Sequence, residues 1–207
     1  MFLHKTNFLM RALYPDFIWH KSPLEKKIYL TFDDGPIPEI TEFVLETLAI
    51  YDAKATFFCI GDNIRKHQAI FKKLHDEGHS VGNHTFNHLK GWNTDDVTYL
   101  ENVVLCSEEI KKEKHQTTLF RPPYGRIKRS QAKSLLPDYE IVMWDVLSGD
   151  FSQKLSPEIV LQKTIRYTNA GSIVLFHDSI KAYKNMSYSL PRFLSHFSEK
   201  GFQFAKL

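Results

Sequence analysis

Residues 28–36 read Ile28-Tyr29-Leu30-Thr31-Phe32-Asp33-Asp34-Gly35-Pro36, an apolar run followed at once by two adjacent carboxylates. The apolar run, rich in aromatic and β-branched side chains, predicts a strand. Two like charges side by side repel each other, and folding alone gives no reason to place them at the end of a strand. A cation nearby would remove this objection, so we expect Asp33 and Asp34 to lie beside one.

Two histidines about fifty residues later are the candidate partners of the carboxylate pair. They lie in His84-Thr85-Phe86-Asn87-His88, and on a helical turn their spacing would put both imidazoles on one face. With one carboxylate of the pair they give three protein ligands and leave a coordination position for water, as in catalytic metal sites. Nitrogen and oxygen donors suit zinc, cobalt, nickel or iron, and the sequence does not select among them. Two solvated histidines are the alternative interpretation.

The composition is that of a globular protein with an aromatic-rich core. The chain has 207 residues, of which 43% are hydrophobic and 25% charged, with 16 Phe and 9 Tyr. This length fits one domain, so we expect residues 1–207 to form a single domain with its motifs within 28–178. The net charge of +3 is too small to indicate a nucleic-acid partner. No segment is long enough to span a membrane, and no obligate protein partner is evident.

The cysteines and the N-terminal segment bear on the cellular compartment. Cys59 and Cys106 have no neighbouring cysteine, so no disulfide framework is predicted, and Cys59 is expected to be a buried thiol. The N-terminal segment lacks the sustained apolar region and the cleavage site of a signal peptide. A cytoplasmic location is therefore the default expectation. An extracytoplasmic location stays open, because a processed leader would leave the same chain.

Short apolar runs alternate along the chain with segments of helical periodicity. The predicted strands are 28–32, 55–59, 80–82, 118–120, 140–144, 172–176 and 203–205; the predicted helices lie near 40–50, 63–77, 95–113, 128–135, 156–168 and 190–200. Ser156 followed by Pro157 marks the start of one helix. This alternation predicts parallel strands joined by right-handed crossovers, in either an open doubly wound sheet or a barrel.

The polar residues at the strand ends favour the barrel. Polar groups at the carboxyl ends of many strands are how a barrel builds an active site, whereas a doubly wound sheet gathers them at its switch point. Here such residues follow five of the predicted strands: Asp33, Asp34, Asn83, His84, Arg121, Asp145, His177 and Asp178.

Three further motifs lie at these strand ends. In Arg121-Pro122-Pro123-Tyr124-Gly125 the prolines lack N–H groups, so that of Tyr124 is the first available after them. Trp144-Asp145 continues to Asp150-Phe151, and Leu175-Phe176 runs into His177. Taken singly, each has an ordinary structural explanation, such as a surface ion pair for the arginine or a helix cap for an aspartate.

Taken in order, the five motifs resemble those of the polysaccharide deacetylases, the NodB-homology carbohydrate esterases. The resemblance extends from Thr31 to His177, nearly the whole chain. It implies an α/β fold, a distorted (β/α) barrel with about seven parallel strands, which agrees with the strand count reached from the residues alone. The implied activity is metal-dependent removal of N-acetyl groups from an amino-sugar glycan of the chitooligosaccharide or peptidoglycan type.

The resemblance also implies a role for each motif residue. The metal, Zn²⁺ in the first place with Co²⁺ or Ni²⁺ as alternatives, would be bound by Asp34, His84 and His88. Asp33 would be the general base, held charged by Arg121. His177 would be the general acid, with Asp150 holding its ring and raising its pKa.

Four more positions complete the expected site. The Tyr124 N–H would stabilise the oxyanion, and Leu175 would line the pocket for the acetyl methyl group. Phe151 stands where the family usually has tryptophan, which keeps an apolar wall but loses the indole N–H. Trp92 lies shortly after the second histidine; it either stacks on a sugar ring or packs within its own loop.

Other functions stay open on the same fold. An O-acetyl esterase of the acetylxylan type and an amidase for small molecules would use the same groups. A non-catalytic glycan-binding module is disfavoured, because Asp33, both histidines of the metal motif and His177 are all present.

Overall fold

One parallel sheet organises the residues that the computed structural model describes, 3–207. Its strand order is β5-β4-β3-β2-β1-β7-β6, and β8 runs beside the first half of β1. All of the strand pairs are parallel. The strands are β1 Lys27–Asp33, β2 Thr56–Cys59, β3 Ser80–Asn83, β4 Leu119–Phe120, β5 Glu140–Ile141, β6 Val146–Leu147, β7 Ile173–His177 and β8 Gln203–Ala205.

Helices precede β1 and connect most of the strands. They are α1 Phe8–Leu13, α2 Ile40–Ile50, α3 Gly61–Lys66, α4 Gln68–Asp76, α5 Asp96–Lys112, α6 Arg129–Leu135, α7 Pro157–Tyr167 and α8 Tyr183–Ser198. The predicted start of α7 is confirmed, because the Ser156 side chain accepts a hydrogen bond from the Ile159 N–H. No helix within residues 3–207 combines the length and the hydropathy needed to cross a bilayer.

The sheet curls until its two edges approach each other. Strands β5 and β6 lie at opposite edges, yet only residues 142–145 join them, and five Cα–Cα steps span at most about 18 Å. The Val142 N–H donates to Phe120 O on one edge, and the Asp145 N–H donates to Ile173 O on the other. The expected distorted (β/α) barrel is therefore confirmed.

Three predicted elements differ from the structure. The prediction of a single strand at 140–144 is wrong. Residues 140–141 pair with β4 as strand β5, and residues 146–147 then pair with β7 as strand β6. The helix at 63–77 is divided at His67 into α3 and α4. The last helix begins at Tyr183 rather than near 190, because α8 accommodates Pro191 in its interior.

Side-chain alternation along β1 decides which residues reach the barrel interior. Ile28, Leu30 and Phe32 belong to the main core cluster, which also contains residues of α2 and α8. The alternate positions, Thr31 and Asp33, therefore face the inside of the barrel, since successive side chains of a strand point to opposite faces. The apolar run thus anchors the strand while its polar residues are directed inward.

A glycine in β3 makes room for an aromatic ring inside the barrel. A Cβ at Gly82 would lie 2.5 Å from ring atoms of Phe58.

We expect Gly82→Ala to lower the free energy of unfolding by about 1–3 kcal/mol, because the ring must shift within a packed interior. Chemical denaturation measures this, with Gln203→Ala at an exposed strand position as the control. Equal stability of Gly82→Ala and wild type would contradict the close packing.

Candidate active site

The sequence-predicted site residues come together at the carboxyl ends of the strands. β1 ends at Asp33, β3 leads directly into His84, β4 leads into Arg121, and β7 ends at His177. Because all of these strands are parallel, their carboxyl ends lie at the same end of the barrel. The Asp33 position pairs in register with His177.

Asp34, His84 and His88 form a cluster of potential metal ligands. One ligand atom of each residue lies within 4.8 Å of the others. His88 Nε2 is 3.3 Å and His84 Nε2 is 3.8 Å from Asp34 Oδ1. This donor set, two imidazoles and one carboxylate, fits a divalent metal of the zinc type.

The segment between the two histidines is a loop, so the expected helical turn is wrong. Thr85 has φ 62° and His88 has φ 57°, both in the left-handed region. Asp34 also has a positive φ, 88°. Non-glycine residues in this region carry backbone strain, which tends to occur at functional sites. The imidazoles are thus brought together by loop conformation rather than by helical periodicity.

Both histidines favour the neutral imidazole, which is the form that binds a metal. Burial lowers the pKa of His84 well below its ordinary value, and His88 lowers it further. Burial also lowers the pKa of His88, against the opposite effect of Asp34. His84 Nδ1 donates to Arg121 O at 2.7 Å, which leaves the Nε2 lone pair facing Asp34.

Asp33 is held by a fully buried arginine. Arg121 Nη1 donates to Asp33 Oδ1 and to Thr31 Oγ1, both at 2.8 Å. Its other donors bind the carbonyl oxygens of Val142 and Met143. Asp33 Oδ2 makes none of these contacts and lies 3.7 Å from His84 Nε2. One oxygen of Asp33 is thus fixed, while the other faces the metal cluster.

His177 is paired with Asp150 through two hydrogen bonds. Asp150 Oδ1 accepts from His177 Nδ1 at 2.8 Å, and Oδ2 accepts from the His177 backbone N–H at 2.7 Å. Burial lowers the pKa of His177, but the negative charge and hydrogen bond of Asp150 outweigh it and raise the pKa to about 9. The imidazole is therefore protonated at neutral pH.

The other aspartate of this motif serves a different purpose. Asp145 is fully buried and forms an ion pair with Lys5 Nζ at 2.6 Å. It ties the N-terminal segment to the chain between β5 and β6. Asp150 is therefore the aspartate of this motif that contacts His177, while Asp145 pairs with Lys5.

Three of the predicted pocket residues lie beside these groups. The Tyr124 ring centroid is 4.6 Å from that of His88, and within residues 3–207 its backbone N–H donates to no protein acceptor. Leu175 is buried and lies two residues before His177 in β7, on the same face of the strand. The Phe151 ring packs edge-to-face on the His177 ring at 5.2 Å.

Trp92 is anchored within its loop. Its Nε1 donates to Ile127 O at 2.9 Å, and the Arg126 guanidinium stacks over its ring at 4.1 Å. The structure therefore agrees with the second interpretation from the sequence, in which the Trp92 side chain packs against the protein. The ring is still half exposed, and contact with a sugar stays a prediction.

Several positioning groups escaped the sequence analysis. The Asp178 carboxylate accepts from the Gly35 N–H and from Thr41 Oγ1, and its own N–H donates to Asp33 O, so it holds the backbone on both sides of Asp34. Its place after His177 was the only signal for it in the sequence. Asn63 donates to Asp34 O, and Asn185 donates to Asp150 O. Each lies about thirty residues or more from its partner, and no local pattern reveals such contacts.

Comparison with known proteins points to one family. The sequence pattern named Polysaccharide deacetylase matches residues 20–137. A peptidoglycan-N-acetylglucosamine deacetylase of Bacillus cereus is 34% identical over 190 residues, which cover 90% of this chain and 88% of that protein. A chitooligosaccharide deacetylase of Azorhizobium caulinodans is 33% identical over 161 residues, 74% of each chain.

Longer relatives and solved structures agree with this. The chain matches only 39% of the length of PgdA, a peptidoglycan-N-acetylglucosamine deacetylase of Listeria monocytogenes, at 32% identity over 90% of this chain. A crystal structure of a peptidoglycan N-acetylglucosamine deacetylase superimposes with a TM-score of 0.89 at 27% identity, covering 98% of this chain and 95% of the other.

Replacing Asp150 tests the origin of the charge on His177. In Asp150→Asn we expect the pKa of His177 to fall well below about 9, because burial is then opposed only by the smaller effects of the Asp34 and Asp33 charges. Proton NMR titration of the His177 ring in the metal-free protein measures it. Asp145→Asn is the control, and we expect it to leave this pKa in place.

The same pair makes stability depend on pH. Folding raises the pKa of His177, so the pair stabilises the protein fully below about pH 6.5 and loses this contribution as pH rises through about 9. The difference in unfolding free energy between wild type and Asp150→Asn should accordingly shrink as pH rises from about 6.5 to about 9. An unchanged His177 pKa in Asp150→Asn would show that another group sets it.

Proposed function

The chain belongs to the polysaccharide deacetylase family, and we propose on this premise that it is a metal-dependent N-deacetylase of acetylated amino-sugar glycans. The proposed substrate is an oligo- or polysaccharide of the chitooligosaccharide or peptidoglycan type. The proposed metal is Zn²⁺, bound by Asp34, His84 and His88.

This proposal rests on the different contacts that two adjacent carboxylates make. Asp33 and Asp34 are neighbours in sequence, yet one is bound to a buried guanidinium and the other faces two neutral imidazoles. Different surroundings give two identical side chains different chemistry. A purely structural pair would need no such division, whereas hydrolysis needs one carboxylate to bind a metal and one to accept a proton.

The remaining chemistry is proton transfer by residues of the chain. A bound divalent metal supplies a Lewis acid that lowers the pKa of a water molecule and polarises a carbonyl group. Asp33 accepts the proton of the attacking water at Oδ2, because Oδ1 is already bonded to Arg121. His177 is protonated and donates from Nε2 to the departing amine nitrogen, while Asp150 holds Nδ1.

Backbone and apolar groups complete the proposed site. The Tyr124 N–H, which has no protein acceptor within residues 3–207, donates to the developing oxyanion; one such donor contributes about 3 kcal/mol to transition-state stabilisation. Leu175 and Phe151 form the apolar wall beside His177. Phe151 has no indole N–H to offer as a donor, and its ring packs edge-to-face on that of His177.

Separate losses of metal and base test the assignment of the two carboxylates. We expect Asp33→Asn to keep the bound zinc but to lose deacetylation by at least about a hundredfold, since a general base contributes on that order. His84→Ala or His88→Ala should lose both zinc and activity. Elemental analysis and acetate release from a chitooligosaccharide are the measurements. Full activity of metal-free wild type would refute the proposal.

The role of His177 is tested by changing the leaving group. An amine must be protonated as it departs, whereas the phenolate of an activated acetyl ester leaves without a proton. We therefore expect His177→Ala to reduce kcat/KM for an N-acetylated glycan much more than for an activated aryl acetate. Equal losses on both substrates would contradict the proton donor. Higher wild-type kcat/KM on O-acetylated xylan than on N-acetylated glycans would favour the esterase alternative.

A further inference from the structure

Two loops that carry site residues are joined at the rim of the barrel. One runs from His88 to Trp92 and the other from Arg121 to Ile127. The Gly91 N–H donates to Arg126 O at 3.0 Å, and Trp92 Nε1 donates to Ile127 O at 2.9 Å. A Cβ at Gly91 would lie only 2.6 Å from Arg126 O, so this close approach requires glycine. The rim is therefore an ordered surface rather than a pair of independent loops.

Arg126 is held in place on this rim with its donors free. Its backbone N–H donates to Pro123 O, and its guanidinium lies 4.1 Å above the ring of Trp92. Stacking uses the flat face of the guanidinium and leaves the N–H groups at its edge available. Within residues 3–207 no carboxylate lies close enough to Arg126 to form an ion pair. The side chain is exposed, so these donors face solvent.

Arg126 and Trp92 each lie a few residues after a residue of the proposed active site in the sequence. Arg126 is two residues beyond Tyr124, whose ring contacts His88, and Trp92 is four residues beyond His88. Because Tyr124 and His88 belong to the proposed site, a glycan bound there with its acetamide group would reach the rim that these loops form. An ordered, unpaired guanidinium there is suited to a carboxylate, which it binds through two parallel N–H···O bonds.

We propose that Arg126, oriented by Trp92, forms a subsite for a carboxylate substituent of the glycan. The preferred substrates are then acetylated glycans that carry carboxylates, rather than neutral chitin-type chains. The carboxylate has two chemical sources, an ether-linked lactyl group on an amino sugar, as in peptidoglycan, or a uronic acid in the chain. This inference rests on the proposed function, since it concerns a subsite of the same active site.

The test compares matched substrates on matched variants. The substrates are a chitooligosaccharide, a peptidoglycan-derived oligosaccharide with free lactyl carboxylates, its methyl ester, and an N-acetylated oligosaccharide containing uronic acid. The variants are Arg126→Gln, Arg126→Lys, Trp92→Ala and Trp92→Phe. Arg129→Gln is the control, because it removes the same charge three residues away, where Arg129 lines a groove with Tyr14 and Phe17.

We expect wild type to favour a free carboxylate over its ester by about tenfold in kcat/KM, as one charged hydrogen-bonded contact would give. Arg126→Gln should lose this preference while keeping its kcat/KM on the chitooligosaccharide within about twofold, a conventional margin for an unchanged transition-state free energy. Trp92→Ala should also lose the preference for the free carboxylate, and Trp92→Phe should recover part of that preference by restoring a ring. Arg126→Lys should show a weaker preference than wild type, because an ammonium group lacks the planar geometry that forms two parallel hydrogen bonds to one carboxylate. Which of the two acidic substrates shows the preference identifies the source of the carboxylate.

Three results would overturn the subsite: no preference for free carboxylate in wild type, equal losses of Arg126→Gln on charged and neutral substrates, or the same effect from Arg129→Gln. Raising the salt concentration from about 50 mM to about 500 mM should reduce the wild-type preference, since the contact is exposed to solvent. Calorimetric titration with the acid and its methyl ester measures the same preference as binding. It therefore tests the subsite even if no substrate is turned over, an outcome that would count against the proposed function alone.

Discussion

The buried contact between Arg121 and Asp33 is the interaction on which the rest of the structure depends. Removing a guanidinium and a carboxylate from water costs several kcal/mol for each ion, and the cost is offset only by close pairing together with further hydrogen bonds. Here the guanidinium binds Asp33, Thr31 and two carbonyl oxygens, and it lies 4.1 Å from the Phe58 ring. Those carbonyl oxygens belong to residues 142 and 143, which close the barrel. Barrel closure and the orientation of the proposed base therefore rest on one side chain.

Each acid of the site has its own partner, and this separates their functions. Asp33 binds Arg121, Asp34 faces the two imidazoles, and Asp150 holds His177. Were two of these carboxylates to share one cation, the pKa of one would rise until it became protonated and unavailable as a ligand or base. The backbone contacts of Asp178 on both sides of Asp34 serve the same end, since they keep the two neighbouring aspartates pointing to different partners.

Much of this arrangement could be predicted from the sequence, because a parallel barrel places every strand end on one rim. Strand positions follow from local apolar runs, so Asp33, His84, Arg121 and His177 could be assigned to one site without coordinates. The left-handed conformations of Thr85 and His88 could not, since a β-branched residue such as threonine disfavours a positive φ and histidine adopts one in only a minority of cases. The separation of β5 from β6, where one strand at 140–144 was expected, also escaped prediction. Its cause is pairing with two distant strands, which local periodicity does not record.

The loop after β4 shows how one short segment can serve both chemistry and recognition. It begins with Arg121, fully buried in the barrel, and continues to Arg126, exposed on the rim. Pro122 and Pro123 stiffen the path between them, and positive φ angles at Tyr124 and Gly125 turn it outward. The two arginines therefore act under different physical conditions. A charge buried with its partners acts strongly and nearly independently of salt, whereas an exposed one acts weakly and is screened. The orientation of the proposed base by Arg121 should thus depend little on salt concentration. The proposed preference for charged substrates depends on Arg126, and substitutions at the rim can change it without changing the buried pair.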